Sequence, residues 1–201
     1  MVSTPFIDWL LRFAGTVAYA VFIAGFMLIT PLAFASEAAL WEAAKTTGHV
    51  VLIRHALAPG TGDPPLFRVT DCATQRNLSA EGRTQARRIG ERFRKHGIDA
   101  ASVHSSLWCR CLDTARLLGL GDTQPNALLN SFFSDGSRGM SQTARLRTWL
   151  SKQAPVAPLV LVTHQVNITE LTGVYPRSGE IVVAKLRPDG TVEALGSIKD
   201  E

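Results

Sequence analysis

The chain has 201 residues, 46% of them hydrophobic and 19% charged, which suits one globular domain with a core and is short for two. Sixteen Gly and ten Pro without Gly/Ser or acidic tracts exclude collagenous, mucin-like and disordered classes. A net charge of +4 without a long Lys/Arg block speaks against a nucleic-acid partner, and three cysteines are too few for a disulfide scaffold or a four-ligand zinc site.

Residues 13–36 carry no charged side chain, Pro31 breaks the helical pattern, and Ala33-Phe34-Ala35 puts small residues where signal peptidase reads them. Residues 1–35 are therefore read as an export signal and residues 36–201 as the working domain. The apolar run also matches a bilayer core of roughly 30 Å, so an uncleaved membrane anchor through residues 13–30 is the alternative. Either way the domain is expected outside the cytoplasm, periplasmic or otherwise exported. A buried core helix fits poorly, because the run has no polar face.

Further along, residues 50–53 (Val-Val-Leu-Ile) and 159–162 (Leu-Val-Leu-Val) are β-branched, apolar runs of the kind buried on both faces of a parallel sheet. Residues 56–77 are rich in Gly, Pro, Asp and Thr and read as a functional long loop. Ser79 is expected to cap a helix with Ala86, Ile89 and Phe93 on its apolar face and Gly97 as its stop. Ser106 is expected to cap a second helix over 108–118, and 143–152 suggests a third. Residues 181–186 and 191–195, joined by Pro188-Asp189-Gly190, read as a terminal hairpin. The alternation of elements predicts an α/β fold with a mostly parallel central sheet.

Both strong strands end in a histidine, His55 after Arg54 and His164 after Thr163, and ligands of open α/β sheets bind beyond the carboxyl ends of the strands. With these residues the chain resembles the histidine phosphatase superfamily, its phosphoglycerate-mutase-like branch. Arg54-His55-Ala56 is similar to the family's Arg-His-Gly, with Ala for Gly. Residues 77–86, Asn-Leu-Ser-Ala-Glu-Gly-Arg-Thr-Gln-Ala, resemble its Leu-Thr/Ser-x-x-Gly-x-x-Gln-Ala helix start. Residues 105–115 resemble its Ser-Ser-x-x-x-Arg-x-x-x-Thr-Ala, and Val162-Thr163-His164 its second-histidine strand.

The resemblance implies a three-layer α/β/α sandwich and a phosphomonoester phosphatase that uses neither metal nor cofactor. His55 would form a phosphohistidine; Arg54, Arg110 and His164 would hold the phosphoryl oxygens. The family's acid, a Glu in a Leu-Asn-Glu segment, is replaced here by Ser131. Asp135 is the expected proton donor, with Asp63, Asp71 and Glu180 as alternatives. Arg68, Arg76, Gln165 and Asn167 are candidate substrate contacts, although Asn167 also suits a helix cap and loop arginines are often simply solvated. Cys72 would pin the long loop by bridging to Cys109 or Cys111. The expected partner is a phosphorylated small molecule or envelope glycan, such as the heptose phosphate of a lipopolysaccharide core. A protein phosphohistidine phosphatase and a non-catalytic phosphate-binding module are the rival readings.

Overall fold

The computed structural model describes residues 35–153 and 158–199. The signal and anchor readings of residues 1–35 fall outside them, Ala35 apart, and no helix among the described residues is long and apolar enough to cross a membrane. In chain order the helices are α1 (Glu37–Lys45), α2 (Ala80–Lys95), α3 (Cys109–Leu118), α4 (Gly139–Leu150) and α5 (Gln165–Thr172). The strands are β1 (His49–Arg54), β2 (Ser102–Ser105), β3 (Thr123–Pro125), β4 (Leu159–Thr163), β5 (Ile181–Leu186) and β6 (Val192–Ile198).

These six strands form one sheet in the order β3-β2-β4-β1-β5-β6. The β3, β2, β4 and β1 neighbours pair in parallel, whereas β5 runs antiparallel to both β1 and β6. Alternate residues of the central strands face opposite layers. Val51, Ile53, Val160 and Val162 pack with Trp41 of α1, Ile89 and Phe93 of α2 and Leu118 of α3. Val50, Leu52, Leu159 and Leu161 pack with Leu146 and Leu150 of α4 and Ile168 of α5. Helices on both faces give the expected three-layer α/β/α sandwich, and each such fully buried aliphatic side chain stabilises it by roughly 2 kcal/mol.

The Ser79 cap is present, its hydroxyl accepting from Gly82 N at 3.0 Å. Two glycines let α2 sit directly on backbone: a Cβ at Gly90 would lie 2.0 Å from the Leu118 carbonyl oxygen, and one at Gly82 2.0 Å from that of Leu57. Three expectations need correction. Ser106 does not cap α3, whose N-cap is Trp108 without a side-chain bond; its hydroxyl turns to His164 instead. The helix expected from residue 143 begins at Gly139, and β6 continues to Ile198. Helix α1, capped by Ser36, was not anticipated.

Candidate active site

Strands β1 and β4 lie side by side, with Ile53 opposite Val162 and Arg54 opposite Thr163. The chain leaves both at the same edge, and His55 N donates to Thr163 O at 2.9 Å. As a result the His55 and His164 rings meet edge to face, centroids 5.5 Å apart, and both residues are buried. They line one cavity of about 240 Å³ together with Arg54, Arg76 and Arg110.

His55 Nδ1 lies 2.8 Å from the Ala56 carbonyl oxygen. A carbonyl can only accept, so Nδ1 carries the proton and Nε2 keeps its lone pair. Burial first, then Arg110, Arg54 and Arg76, push the His55 pKa down to about 3, against the hydrogen bond to Ala56, which raises it. His164 is held well below its ordinary value by burial, by His55 and by the same arginines. Its Nε2 meets Ser106 Oγ at 2.9 Å and Cys111 Sγ at 3.4 Å. At neutral pH the site thus presents two uncharged imidazoles among fixed cations, which favours attack on an anionic phosphorus.

Arg110 enters from the first turn of α3 and is only 3% exposed. Its Nη1 and Nη2 donate to the two carboxylate oxygens of Asp63 at 2.6 and 3.0 Å. Trp108 Nε1 donates to Asp63 Oδ2 at 2.9 Å, and the Arg76 amide to Oδ1 at 3.3 Å. Burial raises the Asp63 pKa, but the Arg110 and Trp108 hydrogen bonds and the Arg110 charge outweigh it and hold the carboxyl below its ordinary value. Arg54 Nη1 donates to Pro176 O at 2.9 Å. The Nε groups of Arg54 and Arg110 are buried without a hydrogen bond.

The remaining expected residues divide. Arg76 and Gln165 line the cavity, and Arg76 also ties the loop by donating to Gly62 O at 2.6 Å and to Ala58 O. Arg68 is exposed and paired with Asp71 away from the cavity. Asn167 neither lines it nor caps α5: His164 is the N-cap, and Asn167 Nδ2 donates to Asn130 O at 2.9 Å. The structure does not bring Asp135 to the site. It is exposed before a short 3-10 turn, where its carboxylate accepts from Ser137. Glu180 is buried but accepts from the Arg177 amide at 2.8 Å, outside the cavity.

Three supporting residues carry no expected role at the site from sequence, though two sit in quoted motifs. Thr114 Oγ1 accepts from Ala56 N at 3.0 Å and donates to Arg110 O at 2.7 Å, coupling the two phosphate-facing segments. Ser106 touches His164. Gln75 accepts from Cys109 N at 3.0 Å while donating to the Arg68 and Val69 carbonyls, stapling the long loop to α3. Beside it Cys72 and Cys109 form a disulfide, whereas Cys111 is a buried thiol whose pKa burial pushes up to about 12.

An α/β sandwich that ends two neighbouring strands in histidines among arginines is a scaffold for handling phosphoryl groups. Residues 50–131 match the model of the histidine phosphatase superfamily (branch 1). Among solved structures, the chain is similar to the protein histidine phosphatase SixA complexed with tungstate, at 16% identity over 75% of this chain and 96% of that one, TM-score 0.51. It is also similar to mycobacterial hydrolase 1, at 16% over 74% and 96%, TM-score 0.54. A third is a phosphoserine phosphatase mutant from Entamoeba histolytica in complex with phosphoserine, at 16% over 74% and 95%, TM-score 0.50. At such identities these share the fold. No curated protein matches the chain.

Proposed function

We propose that this phosphatase is an exported enzyme that hydrolyses phosphomonoesters through a phosphohistidine at His55, and that its substrate is an envelope sugar phosphate such as a lipopolysaccharide-core heptose phosphate. The observation that carries the reaction is the 5.5 Å pairing of His55 and His164 in a cavity walled by Arg54 and Arg110. His55 Nε2 attacks phosphorus, the P–N bond forms as the ester P–O bond breaks, and water later cleaves P–N to release phosphate. Arg54, Arg110 and His164 compensate the charge gathering on the phosphoryl oxygens.

The carrier class is supported by the cavity rim. Phe67, Trp108, Phe133 and Tyr175 line it, and Tyr175 is 74% exposed; aromatic faces suit the C–H faces of a neutral sugar better than a second charged group. Export is supported by the Cys72–Cys109 disulfide, a bond that persists in oxidising compartments.

Single-turnover labelling with a panel of phosphorylated sugars tests the reaction. An acid-labile phosphoenzyme that vanishes in His55→Ala is expected. Vanadate binding without labelling by any donor would point to a non-catalytic module. Labelling by phosphohistidine proteins alone would point to a protein phosphohistidine phosphatase.

A further inference from the structure

Asp63 is the single carboxylate among the described residues that line the cavity, and it occupies the fork of the cation expected to grip phosphate. Its side chain is 9% exposed and accepts from both Arg110 terminal nitrogens, the Trp108 indole and the Arg76 amide. A flat anion is therefore held by donors that would suit a phosphoryl group. The pairing has a cause: a guanidinium 3% exposed is costly without a counter-charge, so the resting site needs an anion of its own. Asp63 also follows two glycines, whose backbone has more conformational freedom than that of other residues. Gly60 and Gly62 hold φ of 92° and 70°, and a Cβ at Gly62 would meet nothing within 4 Å.

We propose that Asp63 is an internal stand-in for the phosphoryl group, that the substrate's phosphate displaces it from Arg110, and that the freed carboxyl group protonates the leaving oxygen. This rests on His55 being the nucleophile. Displacement removes the cationic partners that keep the carboxyl ionised and leaves it beside an anion, and both changes favour the protonated form, which draws its proton from solvent. When His55 Nε2 forms its bond to phosphorus and the ester P–O bond breaks, the Asp63 proton passes to the departing alkoxide, giving the alcohol and an Asp63 carboxylate. In the second step a water oxygen bonds to phosphorus, its proton passes to that carboxylate, and the P–N bond breaks to return neutral His55 and inorganic phosphate. Asp63 is then again a carboxyl, and re-docking on Arg110 sheds its proton and helps expel the product.

Two readouts test the two halves. Asp63→Asn should bind vanadate about tenfold tighter than wild type in calorimetry, because a neutral amide competes poorly for Arg110. It should lower kcat for β-glycerophosphate about 100-fold while lowering that for 4-nitrophenyl phosphate less than about fivefold, since nitrophenolate leaves without a proton. Asp63→Glu keeps the counter-charge that Arg110 needs, and so remains informative if the Asn variant does not fold. It should hold the ratio of the two kcat values within about threefold of wild type. Vanadate affinity unchanged or weaker in Asp63→Asn overturns the stand-in, and equal losses on both esters overturn the acid. A wild-type enzyme that forms no phosphohistidine overturns the nucleophile assignment instead, and the vanadate comparison stands apart from that result.

Discussion

At the scale of single residues, Arg110 separates charge from shape. Arg110→Lys keeps a cation but loses the two-pronged geometry, so vanadate should bind about 10- to 100-fold more weakly with the fold intact. Arg110→Ala also strands the Asp63 carboxylate, which is 9% exposed, and should lower unfolding free energy in urea titration by on the order of 3 kcal/mol. A Lys variant with wild-type vanadate affinity would remove the fork from the mechanism. Residues at this scale were unevenly readable. Arg54, His55 and His164 announce themselves because strand ends project side chains to one rim. Asp63 was only one alternative among several acids, because its meaning depends on a loop folding back across 47 positions to Arg110. Asp135 is singled out in the sequence as the only carboxyl group between Asp122 and Glu170, beside Gly136, yet the turn that follows points it to solvent.

At the scale of elements, the long loop and α2 make separable predictions. The Cys72–Cys109 bond closes a separation of 37 residues, and loop entropy caps its contribution near about 4 kcal/mol. Cys72→Ser should lower Tm by about 10 °C and reduce kcat/KM more than it reduces near-UV dichroism, because Asp63 and Arg76 ride on the loop it tethers. Activity untouched at a temperature where the variant is folded would show that Gln75 suffices as the staple. Gly90→Ala tests packing away from the site: with a Cβ 2.0 Å from the Leu118 oxygen, α2 must shift, costing about 1–3 kcal/mol with KM unchanged. Elements were legible where apolar periodicity was strong, as in β1, β4 and α2. They were hidden where it was weak: β2 reads Ser-Val-His-Ser and becomes a strand only by pairing between β4 and β3.

For the molecule as a whole, the two buried imidazoles set an acid limit. In the unfolded chain histidine titrates near about 6.5, while in the fold His55 titrates near 3 and His164 well below its ordinary value. Below pH about 6.5 the unfolded state therefore binds protons that the native state refuses, and stability falls as pH drops, by up to about 1.4 kcal/mol per pH unit for each ring. Urea midpoints measured between pH 8 and pH 4.5 should be flat at the alkaline end and decline below about 6.5, with a shallower decline in His55→Asn. An identical decline in that variant would locate the acid sensitivity elsewhere. The disulfide beside the pocket carries one more consequence, for timing. A newly made polypeptide bathed in glutathione keeps Cys72 and Cys109 as thiols, so the segment bearing Asp63 and Arg76 lacks its covalent tether. Under the export proposed above, the cytosol would be spared a competent scavenger of its phosphorylated metabolites, and maturation would wait for oxidation after translocation.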